Sequence, residues 1–176
     1  MSTGVYEIPL ITESLLEIIL RELETGRKIA VTIKNESSVT LENPKVYFSS
    51  GTSQFGLPSP PLYSGKGLVW GARKSEYVTR GTAGVIVYHI KDYNLSLAFM
   101  WSVPLVYLFY TNWWNLKIYE GFIEPDEEFF WKMYYDYPHK GDGNPYSGTL
   151  SRWSYEGSMG DAGQSTITIT FREGKA

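Results

Sequence analysis

Cysteine is absent from this 176-residue chain. The absence removes disulfide frameworks, thiolate metal sites and thiol nucleophiles together, although a core of this size needs no staples and the redox compartment stays open. Histidine is scarce: His89 and His139 stand 50 positions apart. With neither cysteine nor a close acidic partner to complete a metal set, each is expected to play a structural role. Positive charge is not in surplus either. Sixteen Lys and Arg face 19 Asp and Glu, a formal charge of -3, so there is no global field to hold a nucleic-acid backbone.

Catalytic and phosphate-binding strings are missing as well. There is no P-loop and no GxGxxG, and the run 51–55 (GTSQF) lacks the second glycine of a nucleophile elbow. Asp142-Gly143-Asn144 is followed by too few oxygen ligands for a calcium loop and reads as a turn. No enzyme, metal or cofactor is expected. The N-terminal run MSTGVYEIPL lacks a basic start, an apolar stretch and a small-residue cleavage site, so it does not read as a signal peptide. The chain is then either mature or cytosolic. No repeat, linker or low-complexity tract divides it, and one domain over 1–176 is expected.

What the chain has in excess is aromatic rings. Phe, Trp and Tyr make up 28 of its residues, and 15 of these fall between Phe99 and Tyr137. Crowded beside Thr111, Asn112 and Asn115, they suggest a surface that meets something apolar. Ring faces also recognise a quaternary ammonium, a cation with no N–H to donate, at about 0.5–2 kcal/mol per desolvated face. Tyr adds a hydroxyl that can donate to a neighbouring phosphate. Rings at Phe109, Tyr110, Trp113, Tyr134 and Tyr135 would serve both ends if the loop at Pro104 and a helix near residue 130 were adjacent.

Period-two alternation dominates the rest. Ile29, Val31 and Ile33 alternate with Lys28, Ala30, Thr32 and Lys34, and Ile167, Ile169 and Phe171 alternate with Thr166, Thr168 and Thr170. Further strands are expected at 44–49, 67–70, 85–90 and 115–119, with a long loop over 51–67. The run 93–116 carries no charge, but Pro104 and the alternation of Leu95, Leu97, Phe99, Trp101 and Val103 with smaller residues make it a strand ending in a loop, not a membrane-spanning helix. The fold class is thus a mostly β, antiparallel sandwich with two flanking helices. The first helix, about 12–25, shows an apolar stripe of Ile11, Leu15, Ile18, Ile19 and Leu23, with Ser14 and Glu17 at capping-box spacing and Gly26 as its stop. The second, about 125–135, opens on Asp126, Glu127 and Glu128, whose charges suit a helix N-terminus, and pairs Phe130 with Tyr134 and Trp131 with Tyr135.

Ser102-Val103-Pro104, then Tyr107, then the run 110–115 (YTNWWN) resemble the signature of the actinoporins, pore-forming toxins of sea anemones with relatives in corals, molluscs and mosses. The resemblance extends in order through Arg27-Lys28-Ile29-Ala30, Tyr47-Phe48, the run 50–53, Gly81, Gly84-Val85, Met133-Tyr134-Tyr135 and Gly157-Ser158-Met159. Ala72-Arg73-Lys74-Ser75 and Arg80-Gly81-Thr82 are most similar to the moss-type relatives.

The resemblance implies a cytolysin that binds sphingomyelin and phosphatidylcholine, forms homo-oligomers, and inserts its N-terminal segment, 1–27, to make cation-permeable pores, with 28–176 as the sandwich. It implies a secreted protein acting at a target-cell membrane, or one stored in the cytosol. Headgroup positions fall on Ser50, Ala83, Ser102, Pro104, Tyr110, Phe130, Tyr134 and Tyr135. Membrane contacts fall on Leu105, Val106, Leu108, Phe109, Trp113 and Arg27, and protomer contacts on Phe55, Gly56 and Lys74. The chain departs from the pattern at Leu105-Val106, where a Tyr-Asp pair is usual, at Leu108 and Phe109, and at Ser49, which stands where an arginine is common beside the headgroup pocket. Lys140-Gly141-Asp142 replaces a frequent Arg-Gly-Asp. The alternative is a lipid- or glycan-binding, lectin-like module on the same sandwich that never perforates.

Overall fold

The computed structural model describes residues 3–23, 25–53, 56–76, 80–108 and 110–174. Along them run β1 (Gly4–Glu7), a turn of 3-10 helix (Ile8–Leu10), α1 (Glu13–Glu22), β2 (Lys28–Asn35), β3 (Leu41–Ser50), β4 (Lys66–Arg73), β5 (Thr82–Ile90), β6 (Leu95–Val103) and β7 (Asn112–Glu120). They continue with α2 (Glu127–Tyr134), β8 (His139–Gly141), β9 (Pro145–Leu150), β10 (Trp153–Met159) and β11 (Gln164–Glu173). Six strands form one sheet in the order β1-β4-β2-β11-β10-β9, and five form the other in the order β3-β5-β6-β7-β8. The expected antiparallel sandwich holds with one exception: β2 and β11 pair in parallel, Ile29 beside Ser165 and Ile33 beside Ile169.

The alternation read in the sequence sorts side chains between layers. Ile29, Val31 and Ile33 of β2, Leu97, Phe99 and Trp101 of β6, and Ile167, Ile169 and Phe171 of β11 fill the space between the sheets. Their intervening neighbours face outward, yet many are buried too, because each sheet carries a helix on its outer face. Ala30 and Val69 lie under α1 with Leu15, Leu16 and Ile19. Val85, Val87, Ala98 and Met100 lie under α2 with Phe129, Phe130 and Met133. Covered on both faces, β5 and β6 are almost continuously buried, and this is how an uncharged run arises without a membrane span.

Helix α1 is shorter than its pattern suggested. Its N-cap is Thr12, whose hydroxyl accepts from the Leu15 amide at 3.2 Å, so the Ser14 capping box does not form. It ends before Gly26, because Leu23 is already extended (φ -75°, ψ 127°) and its carbonyl accepts from the buried Lys28 ammonium at 2.9 Å. Ile11 precedes the helix but is buried with it, Ile18 is only half-buried, and Leu16 joins the apolar face in its place. Gly71 makes this seat possible: a Cβ there would stand 3.0 Å from a Leu23 methyl and 3.3 Å from Ile19. No helix of the described residues is long and apolar enough to cross a membrane.

Asn112 and Asn115, expected at a surface, are buried. Both work as braces. The Asn112 amide donates to the Gly160 and Ala162 carbonyls, each at 2.9 Å, and the Asn115 amide donates to those of Met133 and Asp136, each at 2.9 Å. Asn115 therefore fixes the C-terminal end of α2 to β7. His89, which the sequence left without an acidic partner, has one in Glu42, 3.1 Å from Nδ1. No group of three metal-ligating side chains occurs among the described residues.

Candidate functional site

One row of the second sheet sets the floor of a cleft. Ser50 pairs with Ala83, Ala83 with Ser102, and Ser102 with Trp113, so these positions line up across β3, β5, β6 and β7 at one end of the sheet. The backbone is close-packed there: a Cβ at Gly81 would overlap the Val103 carbonyl. Helix α2 lies across the same end. Asp126 caps it, accepting from the Phe129 amide at 2.8 Å, and Phe129, Phe130 and Met133 pin it to the sheet. Between them opens a cleft of about 510 Å³, walled by the segment Pro104–Val106, by Tyr110 and by the α2 side chains Phe130, Trp131 and Tyr134.

The rings form a connected pile. Tyr134 meets Phe130 at 6.0 Å and the edge of Trp131 at 5.2 Å, and Tyr135 meets Tyr134 edge-on at 5.1 Å and stacks on Trp131 at 5.9 Å. These spacings lie in the favourable range for aromatic pairs. Phe130 is buried, whereas Tyr110 and Tyr135 are exposed. Burial pushes the Tyr134 hydroxyl's pKa up, and the neighbouring hydroxyls of Tyr135 and Tyr110 add to the rise, so it remains a donor at neutral pH.

The charged members of the cleft were not singled out from the sequence. Glu127, on the first turn of α2, accepts at one oxygen from the Ser49 hydroxyl (2.7 Å) and the Trp131 indole N–H (2.9 Å), and at the other from the Tyr47 hydroxyl (2.5 Å). The Tyr47 bond first, then the Ser49 and Trp131 bonds and the Arg80 charge, hold its carboxyl below the usual carboxylate range against a smaller opposing effect of burial. Arg80 lines the same cleft. In the sequence Glu127 reads only as a helix-dipole charge, and Arg80 stands only in a string similar to the moss-type relatives. Nothing local says that they line one cleft.

Of the expected headgroup residues, Ser50, Ala83, Ser102, Pro104, Tyr110, Phe130 and Tyr134 line this one cleft, and Tyr135 stacks outside it. The tip beside it is apolar: Leu108 is 81% exposed and Val106 47%, while Leu105 is half-buried. Phe109 and Phe55 lie outside the described residues. Trp113, expected as a membrane contact, packs half-buried against the cluster under α2, because its place on β7 turns it toward the helix-covered face. Arg27 is half-buried and reaches the tip loop, donating to the Leu105 carbonyl. Gly56 is exposed and its carbonyl accepts from the Trp70 indole at 2.9 Å, and Lys74 joins β4 to the α1–β2 junction through its amide and the Arg27 carbonyl at 3.0 Å. Neither touches the cleft.

A family profile described as "Sea anemone cytotoxic protein" matches residues 4–173. Bryoporin of Physcomitrium patens is 36% identical over 152 residues, 84% of this chain and 84% of its own. DELTA-actitoxin-Afr1c of Actinia fragacea is 35% identical over 162 residues, 90% of each chain. Among solved structures, the lipid binding protein Nakanori superposes with a TM-score of 0.70 over 93% of this chain and 81% of its own, at 17% identity, which is a likeness of fold.

Proposed function

This chain belongs to the sea anemone cytotoxic protein family, the actinoporins, which are pore-forming toxins and not enzymes; we propose that its cleft takes the headgroup of a choline phospholipid and that its N-terminal segment then perforates the bilayer. The observation that carries the reading is the cleft itself. A pocket of about 510 Å³ with a ring pile on one wall opens beside an exposed apolar tip of Val106 and Leu108. Ring faces suit a trimethylammonium, and apolar residues at the mouth suit the interfacial zone of a membrane. The sphingomyelin preference, the oligomer and the role of a target-cell membrane come from the family resemblance and belong to the same proposal.

The pore step asks most of α1. Its ten residues rise only about 15 Å, half of a hydrocarbon core about 30 Å thick. Extended from Pro9 to Arg27 it would reach roughly 28 Å, with the proline in the first turn, where its missing N–H costs little. Strand β1 need not be recruited. Release does require Leu15, Leu16, Ile19 and Leu23 to leave the sheet, a burial of order 10 kcal/mol that lipid contact would have to replace. The acidic face of α1, with Glu13 and Glu17 exposed, would line a lumen that favours cations.

The shortness of α1 and its tight seat on Gly71 favour one second reading, a lipid-binding module that does not perforate. Dye release from liposomes with and without sphingomyelin, run beside a pelleting assay, separates the two. Release with binding is expected. Binding without release supports the module, and the absence of both binding and release removes both readings.

A further inference from the structure

The cleft carries opposite fixed charges, and this points to a finer specificity that rests on the headgroup reading above. Glu127 is held in place by donors from β3 and from its own helix, with three of the roughly four lone-pair directions of a carboxylate engaged by Ser49, Trp131 and Tyr47. One direction is left for a ligand. The side chain lines the cleft beside the Tyr134 and Trp131 rings, and Arg80 lines it as well. A guanidinium and a carboxylate in one cleft match a zwitterion: the first meets a phosphate, the second an ammonium.

The kind of ammonium matters. A trimethylammonium cannot donate hydrogen bonds and is satisfied by ring faces alone. A primary ammonium has three N–H donors, and burying them without an acceptor is costly. A carboxylate attracts either ammonium through its charge, but only a primary ammonium can use it as a hydrogen-bond acceptor. We propose that Glu127 is the acceptor for a primary ammonium, and that the cleft therefore binds phosphoethanolamine headgroups in addition to phosphocholine, with Arg80 supplying the phosphate partner that Ser49 cannot.

The test uses the full chain and pelleting with vesicles of phosphatidylglycerol that carry either ceramide phosphoethanolamine or sphingomyelin, or neither. Wild type is expected to pellet with both doped vesicles and not with the undoped ones. Because a charge-assisted hydrogen bond is lost, Glu127→Gln should weaken binding to the ethanolamine lipid by about tenfold or more relative to sphingomyelin. Glu128→Gln, on the same turn but outside the cleft, should change neither. If wild type binds sphingomyelin vesicles but not ethanolamine vesicles, the inference fails while the choline reading stands. If it binds neither, both fail. A Glu127→Gln protein that keeps the wild-type ratio also overturns the inference. Should that variant not fold, titration of wild type with soluble phosphoethanolamine decides: the Trp131 indole N–H resonance must shift, and an unmoved resonance refutes the assignment.

Discussion

The Arg27 guanidinium donates twice to one acceptor, the Leu105 carbonyl oxygen, from Nε at 3.1 Å and from Nη2 at 2.8 Å. Its carbon also lies 5.1 Å over the Tyr107 ring, whose hydroxyl donates to the Asn112 amide oxygen at 2.6 Å. The segment that follows α1 is thereby tied to the loop at the mouth of the cleft. Arginine suits the place because a planar fork can bond and stack at once, which a lysine cannot.

Arg27→Ala should therefore destabilise the fold by about 1–3 kcal/mol, the cost of leaving a part-buried acceptor unpaired. Urea unfolding measures the loss, and amide exchange over residues 105–107 should speed up with it. Unchanged exchange in that loop would show that the contact is not formed in solution.

In the cleft, Tyr134→Ala or Tyr110→Ala should weaken binding to choline-lipid vesicles by about 1–2 kcal/mol, the scale of one desolvated cation–π face. Tyr110 is exposed, so its variant should melt like wild type. Binding that survives both changes would move the headgroup site elsewhere.

Leu108 and Trp113 should now behave differently. Leu108→Ser should reduce membrane partitioning by up to about 1.5–3 kcal/mol, with an unchanged melting temperature, because the side chain touches little in the free protein. Trp113→Ala should lower the melting temperature, since its ring packs in the cluster under α2. Equal stability of the Trp113 variant and wild type would contradict the packing.

A lock on α1 tests the pore step directly. With no native cysteine, Ile19→Cys and Gly71→Cys can pair only with each other, and their side chains would be in contact. The oxidised protein should bind vesicles but release no dye, and reduction should restore release. Release under a verified lock would exclude detachment of the helix.

His139 gives a pH signature. Burial first and the Lys117 charge second lower its pKa from the ordinary 6.5, and its Nε2 lies 2.6 Å from the Tyr155 hydroxyl. A lowered pKa in the fold means that the unfolded chain binds the proton more tightly. The stability contribution is thus complete above pH 6.5 and is lost as pH falls toward the folded value. His139→Phe should flatten the fall in melting temperature below pH 6.5, and an unaltered pH slope would assign the effect to other groups.

What the sequence by itself determined are the features with a local period. Ile29, Val31 and Ile33 had to share one face because strand side chains alternate, and Leu15 and Ile19 had to share one face because a helix turns every 3.6 residues. The ring pairs Phe130 with Tyr134 and Trp131 with Tyr135 follow from the same arithmetic on α2. Only the tertiary structure decided which outward face a helix would cover. That choice half-buries Trp113 and turns Asn115 into an internal brace under α2, while the approach of the two sheets makes Asn112 a brace to Gly160 and Ala162 and Leu108 is left bare. It also decided that β2 and β11 run in parallel, and that Glu127 and Arg80, from a helix and a distant loop, line one cleft. Packing and charge depend on distances in space, and residues far apart in the chain acquire those distances only when the sheets and helices close on each other.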